Sequence, residues 1–227
     1  MHSHLLPGID DGSPDLETSV SLVKGLQSLG FSRLITTPHI MSGMYENDPQ
    51  IITAKCETLN AELTNQGLKV NLSAAAEYFL DDRMEMRIRE KESFLMWGGK
   101  KVLCEFSMLN PVSGIKEMIF ELVMQGYQPV IAHPERYIYL ERNKVFYDEL
   151  KDMGCLFQLN LLTLGSYYGK SVSSIASYLI KKRYYDYVGT DLHNQRHLDL
   201  LRDPKIGEGL KRVMGECRIR NAEISLM

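Results

Sequence analysis

KVLCEF (101–106) and QPVIAH (128–133) are short apolar runs separated by a stretch of helical period near 113–125. Run, helix, run is the pattern of two parallel strands joined by a crossover helix, because a parallel neighbour needs a connection long enough to return along the sheet. The pattern extends both ways: RLITT (33–37), VNLSAAA (70–76), CLFQLN (155–160) and YVGTD (187–191) are further runs. Helix-period stretches near 15–29, 48–66, 142–152, 171–183 and 204–216 lie between or beyond them. Sustained alternation predicts an α/β protein built on a parallel sheet.

Local signals agree. Asp15, with Thr18 and Ser19 in the first turn, opens one helix and Gly30 closes it, while Asp203-Pro204 supplies an N-cap followed by proline at the first helical position. Only segment 78–100, YFLDDRMEMRIREKESFLMWGGK, breaks the rhythm. It reads as a short excursion carrying Trp97 ahead of a Gly98-Gly99 turn.

At 227 residues the chain falls within the roughly 200–250 residues that an α/β barrel occupies as one unit, and residues 1–227 are expected to form a single domain. Apolar residues at 44% and charged residues at 24% are ordinary for a globular protein, which argues against disorder. Lys plus Arg at 26 against Asp plus Glu at 29 gives a formal charge of −3 with no block of one sign, so no nucleic-acid footprint is present. No apolar run approaches the ~20 residues of a membrane span and no secretory signal pattern opens the chain, so a cytoplasmic protein without membrane insertion is expected. Cys56, Cys104, Cys155 and Cys217 are widely spaced, which fits neither a zinc ribbon nor a disulfide scaffold. Cys104 and Cys155, inside apolar runs, read as core residues.

The polar residues are unevenly placed. Of six histidines, His2 and His4 lie in the opening strand, His39 follows LITTP, His133 ends QPVIA and His193 follows VGTDL. Asp11 follows the first strand, while Glu77, Glu105 and Asp191 end VNLSAAAE, KKVLCE and YVGTD. His2 and His4, two apart on a strand, point to the same side. In a barrel of parallel strands the carboxyl ends share one face, where barrel enzymes keep their chemistry. Four carboxylates and five imidazoles in one cup demand compensating positive charge, which divalent cations supply. Three metals with three or four protein ligands each use all nine residues if one carboxylate bridges.

HSHLLPGIDDG, TTPHIMSGMYEN, AAAEYF, LCEFS, PVIAHPERY and GTDLHN, in that order from residue 2 to residue 194, resemble the PHP (polymerase and histidinol phosphatase) superfamily. More narrowly, IDDG, Glu105 and HPERY resemble its bacterial branch of metal-dependent protein-tyrosine phosphatases linked to capsular and extracellular polysaccharide synthesis. The closing IRNAEISLM is also similar to that family's end. The resemblance implies a distorted (β/α)7 barrel with its active site at the C-terminal ends of the strands. It implies three metal sites: His2, His4, Glu77 and Asp191 at the first; Glu77, bridging, with Glu105 and His133 at the second; Asp11, His39 and His193 at the third. It implies manganese, with iron or zinc compatible with the same donors. Members carry a few more residues before the first H-x-H, completing the first strand, whereas His2 here follows Met1 directly, so a trimmed or misassigned start and weaker occupancy of the first site are expected.

Metal binding lowers the pKa of water toward ~7, so a metal-activated hydroxide is the expected nucleophile on a phosphate monoester. A cysteine-based tyrosine phosphatase needs a thiolate with Arg six residues later, and none of the four cysteines has one. Arg136, just past His133, reads as a bidentate phosphate clamp, against the alternative of an ion pair with Glu135 or Glu141. Arg196 is a second candidate, matched only by a shifted alignment. Tyr45 reads equally as a stacking partner for an aromatic substrate or as loop packing, and His197 as a surface residue. The resemblance implies phosphotyrosine on the Tyr-rich tail of a bacterial tyrosine autokinase of polysaccharide export as the substrate. The alternatives are a histidinol-phosphate or other small phosphomonoester phosphatase and, from another class, a non-catalytic metal-binding scaffold.

Overall fold

The computed structural model describes residues 2–110 and 113–224, so Met1 and the last three residues of IRNAEISLM lie outside the described residues. The first half of the chain runs α1 (Leu16–Ser28), β1 (Arg33–Thr36), β2 (His39–Ile40), α2 (Pro49–Asn65), β3 (Asn71–Ala74), β4 (Glu77–Phe79), α3 (Asp82–Arg89) and β5 (Lys101–Glu105). The second half runs α4 (Ile115–Met124), β6 (Gln128–Ala132), α5 (Val145–Asp152), β7 (Leu156–Asn160), α6 (Lys170–Lys181), β8 (Tyr185–Gly189), α7 (Gln195–Leu200) and α8 (Pro204–Glu216). Several helix starts are fixed by side-chain caps: Asp15 accepts from the Thr18 N–H at 2.8 Å, and Asp48 and Asp203 each cap a helix whose first residue is proline.

All named strand pairs are parallel, and they follow one another around a ring. β1 pairs with β3 and β2 with β4, so each couple is one strand position interrupted in the middle. Pro38, which has no N–H to give, lies between β1 and β2. The order β4, β5, β6, β7, β8 completes six positions. Residues 2–4 supply the seventh. On one side the His4 N–H donates to Leu192 O at 2.8 Å and the Asp191 N–H to His2 O at 2.9 Å; on the other the Thr37 N–H donates to Ser3 O at 2.7 Å. These bonds close the ring, in agreement with the expected distorted seven-unit α/β fold.

Within each strand, side chains alternate between two environments. Val102, Cys104, Ile131, Phe157, Leu159 and Val188 face outward into a large apolar layer under the helices. Ile35, Ala75, Leu103, Val130, Ala132 and Tyr187 face inward and form a smaller layer with Ile224 and Trp97.

Three expectations need correction. The 78–100 segment is no mere excursion: after β4 and α3 it returns, and Trp97 is buried in the inner layer with its ring 5.0 Å from that of Tyr187. The last strand begins at Tyr185 rather than residue 187 and ends at Gly189, before Asp191. Asp186 disguises its start, because a carboxylate reads as a strand breaker, yet here it accepts from the Phe157 N–H at 3.0 Å and from Lys151 at 2.8 Å. The opening histidines flank a single bridge at Ser3, not a full strand, and His2 has φ of 51°. No helix among the described residues is long and apolar enough to cross a membrane.

Candidate metal centre

The inward face of each strand ends in a polar group two residues beyond an apolar one: Ala75 then Glu77, Leu103 then Glu105. Ile35 leads through Thr37 to His39, and Tyr187 through Gly189 to Asp191. His133 follows Ala132 directly and so should point outward. Its φ of 31° turns the backbone at the end of β6 and brings the ring inward. Asp191, with φ of 48°, makes a similar left-handed turn after β8.

All nine sequence-nominated ligands therefore meet. Fully buried Glu77 is at the centre: its Oε2 lies 3.2 Å from His2 Nε2, 3.4 Å from His4 Nε2 and 3.3 Å from His39 Nδ1, and its Oε1 lies 3.2 Å from His133 Nε2. Asp191 Oδ1 lies 3.2 Å from His2 Nε2, and Glu105 Oε2 lies 3.4 Å from His39 Nδ1. Asp11, half-exposed at the mouth, places Oδ1 3.5 Å from His39 Nε2 and 3.4 Å from His193 Nε2.

Three groups have donor atoms close enough to share an ion: His4, Asp11, His39 and His193; His2, Glu77, His133 and Asp191; and His39, Glu77 and Glu105. Their union is the nine. The division differs from the expected one, since His4 lies with the Asp11 group and His133 with the His2 group. Both rings border Glu77, so either can serve two neighbouring positions.

The donor set fits divalent cations. Glu77 Oε1 and His39 Nδ1 are buried in the cup without a well-formed hydrogen bond, as expected of atoms shaped around something other than each other. Electrostatics agree. Burial and then the negative charges of Glu77 and Asp191 hold the Glu105 carboxyl well above the usual carboxylate range. Burial, reinforced by His4, pushes His39 down to about 4. Burial opposes charging of His2, yet Glu77 and Asp191 lift it to about 10. Such mutual strain among titrating groups marks a site that positive ions would relieve.

A supporting layer orients the ligands. Asp10 Oδ2 lies 2.7 Å from His4 Nδ1, and Gln158 Oε1 lies 2.5 Å from His2 Nδ1. Gly12 is required there: a Cβ would come within 2.3 Å of His4 O, so only glycine lets the IDDG loop fold over that histidine. Sequence reading missed Asp10, Gln158 and Asn160. The available signals were the doubled aspartate and the two amides at alternate positions in an otherwise apolar run, CLFQLN.

Above the ligands opens a cavity of about 500 Å³ whose lining includes Tyr45, Phe79, Met108, Arg136, Tyr168 and His197. Arg136 pairs with neither Glu135 nor Glu141. Its Nη1 donates to Asp191 Oδ2 at 2.8 Å, and its guanidinium lies 4.6 Å from the Tyr168 ring centre. Glu135 turns into the core, accepting from the Asn160 N–H and Thr163 through Oε1 and from Tyr185 through Oε2; burial pushes it up to about 7 against those bonds. Tyr45 stacks on His39 with centroids 5.4 Å apart. Arg196 is exposed, 5.5 Å from the Tyr167 ring, and is not among the cavity's lining residues. His197 is not a plain surface residue: Asn194 caps the short α7 through the His197 N–H, and that turn sets Nδ1 3.3 Å from Asp191 O and the ring edge-on to His193.

Residues 1–222 match the family described as capsular polysaccharide synthesis, CpsB/CapC. The chain is similar to the tyrosine-protein phosphatase YwqE of Bacillus subtilis, 26% identical over 86% of this chain and 76% of that protein. It is similar to the tyrosine-protein phosphatase CpsB of Streptococcus agalactiae, 29% identical over 96% of this chain and 89% of the relative. In structure it is similar to a chain from the crystal structures of YwqE from Bacillus subtilis and CpsB from Streptococcus pneumoniae, described as unique metal-dependent tyrosine phosphatases. That match has a TM-score of 0.83 and 25% identity, covering 96% of this chain and 86% of the other. A histidinol phosphate phosphatase from Lactococcus lactis shares the fold, with TM-score 0.56 and 14% identity over 92% of this chain and 91% of its own.

Proposed function

The chain belongs to the CpsB/CapC family of capsular polysaccharide synthesis, and from that premise we propose that it is a metal-dependent phosphatase of protein phosphotyrosine. The observation that carries the reading is the convergence of five imidazoles and four carboxylates on buried Glu77 beneath an open, partly aromatic cavity.

We assign the nine residues to three divalent cations, manganese first among them, with Glu77 shared. The family's division places His2, His4, Glu77 and Asp191 together, Glu77 with Glu105 and His133, and Asp11 with His39 and His193. When bound, such cations supply Lewis-acid charge for phosphoryl oxygens and a water acidified toward pH ~7. The chain does the rest. Asp10 and Gln158 hold the rings of His4 and His2 at the orientation in which Nε2 faces the cup. Arg136 keeps N–H donors for phosphate beyond the one spent on Asp191, and a guanidinium suits two oxygens of a phosphate at once. Tyr45 and Phe79 offer apolar surface to an aryl ester.

A cysteine nucleophile has no support. All four cysteines are buried, and burial raises every thiol, with Cys56 pushed up to about 11, so none is a thiolate at neutral pH. The proposed substrate is the Tyr-rich tail of a cytoplasmic tyrosine autokinase governing polysaccharide export, and the proposed location is the cytoplasm. Arg196, at the rim, is proposed only as an outer contact for that peptide. The test is a panel at one manganese concentration: phosphotyrosine, phosphoserine and histidinol phosphate. Phosphotyrosine peptide should have the highest kcat/KM by at least about tenfold, a margin of ~1.4 kcal/mol in transition-state stabilisation. Preference for histidinol phosphate would move the function to small phosphomonoesters, and cleavage of none would favour a metal-binding scaffold.

A further inference from the structure

We propose that Tyr168 is a positioning residue for substrate phosphate, acting through Arg136; this rests on the reading of Arg136 as the phosphate clamp. A flexible arginine at a cavity wall makes a good clamp only if its fork is held before substrate arrives, since ordering it at that moment costs affinity. Here the guanidinium is held from two sides: Nη1 donates to Asp191 at 2.8 Å, and the plane of Tyr168 supports it at 4.6 Å from the ring centre.

The tyrosine is itself fixed through Asn160, at the end of β7. The orientation of that amide is determined by its partners. Its Oδ1 accepts from the Leu162 N–H at 2.9 Å, so Nδ2 faces the other way, with one hydrogen for Asp191 Oδ2 at 2.8 Å and one for the Tyr168 hydroxyl at 3.0 Å. The backbone N–H of Asn160 donates to Glu135 Oε1 at 2.8 Å, which ties β7 to the turn that carries Arg136. Both the backbone and the head of Arg136 are thus referred to one residue. Tyr168 contributes no metal ligand, so its service is to the clamp, whereas Asn160 serves both sides, since its amide also holds the ligand Asp191. The tyrosine hydroxyl, an acceptor from Asn160, stays protonated, since burial raises its pKa, and the ring therefore carries no charge to compete with phosphate.

The experiment is a double-mutant cycle on the manganese-loaded enzyme with phosphotyrosine peptide, following kcat, KM, competitive inhibition by inorganic phosphate, and metal content. Arg136→Ala should raise KM about thirtyfold with the metals retained. Tyr168→Leu should raise KM and the phosphate inhibition constant about fivefold with kcat within about twofold, the size of a lost cation–π contact. Tyr168→Phe, which keeps the ring under the guanidinium but loses its tether to Asn160, should raise KM and the phosphate inhibition constant about twofold to threefold, less than Tyr168→Leu and again only while Arg136 is present; no rise at all would count against the positioning role even if the leucine variant fails to fold. In the Arg136→Ala background, either Tyr168 substitution should add nothing further.

An unchanged KM in Tyr168→Leu while Arg136→Ala raises it would overturn the positioning role and leave the clamp standing. Additive losses, or a loss of metal in Tyr168→Leu, would also overturn it, by showing that Tyr168 acts apart from Arg136. A more than tenfold rise in Tyr168→Phe would do the same, because the ring face would not be the operative part. An unchanged KM in Arg136→Ala would sink the clamp itself and the proposal with it.

Discussion

The two ends of the strand ring are built from the same strands, yet one is apolar and the other ionic. At one end Trp97, Tyr187, Leu103 and Val130 fill the interior with a packed, largely apolar layer that carries no charge. Two residues further along the same faces stand Glu105 after Leu103 and Glu77 after Ala75, and four residues further stand His39 after Ile35 and Asp191 after Tyr187. The period of the strand, not a change of element, separates a self-sufficient core from a site that is incomplete on its own. A core of this kind stabilises whether or not ligand is present. A cluster of buried carboxylates and imidazoles is costly unless positive ions join it. Stability and function should therefore respond to different substitutions.

The largest effect is expected at the ionic end. His133→Ala or Asp191→Ala should lower kcat/KM by at least about 10³-fold, while far-UV circular dichroism stays native because the apolar layer is untouched. Wild-type turnover by either purified variant would break the assignment. Next comes the apolar end, where Trp97→Ala should destabilise by about 3–5 kcal/mol in urea unfolding while the folded fraction keeps a kcat within a few-fold of wild type. Third, Mn²⁺ at about a hundred times its dissociation constant should stabilise the wild-type chain by ~2.7 kcal/mol. Thermal melts should show that gain largely lost in His133→Ala and kept in Trp97→Ala. The smallest effect belongs to the supporting layer: Asp10→Ala should weaken manganese affinity by about tenfold to a hundredfold, with little change in kcat at saturating metal. An unchanged affinity, read by titration calorimetry, would show that the Asp10–His4 contact does not orient a ligand.

Much of this was legible in the sequence because it depends on local order. Apolar runs such as KVLCEF and caps such as Asp203-Pro204 fix elements within a few residues, and ligand residues at run ends follow from the period of a strand. Less legible is which ligands share a neighbourhood. His4 also reaches the Asp11 group, and His133 the His2 group, because both rings border Glu77 at the centre of the cup, which spacing along the chain does not express. His133 enters the cup through a left-handed backbone turn rather than through alternation. Trp97 looked peripheral because its segment is charged, yet the chain returns to place it in the inner layer. In IDDG both aspartates are ligand-type residues, and only the fold shows that Asp10 backs His4 while Asp11 faces the mouth. Arg136 was found by its place after His133, but its partner Asp191 is 55 residues away.

If the ionic end is an active site completed by metal, metal reconstitution should show it. Protein stripped of metal should not cleave phosphotyrosine peptide. Titration with Mn²⁺ should restore cleavage in step with about three ions bound per chain, counted by mass spectrometry of the metal, as nine ligands with one shared allow. Cleavage that persists in stripped protein, or that never appears once the ions are bound, would contradict the account.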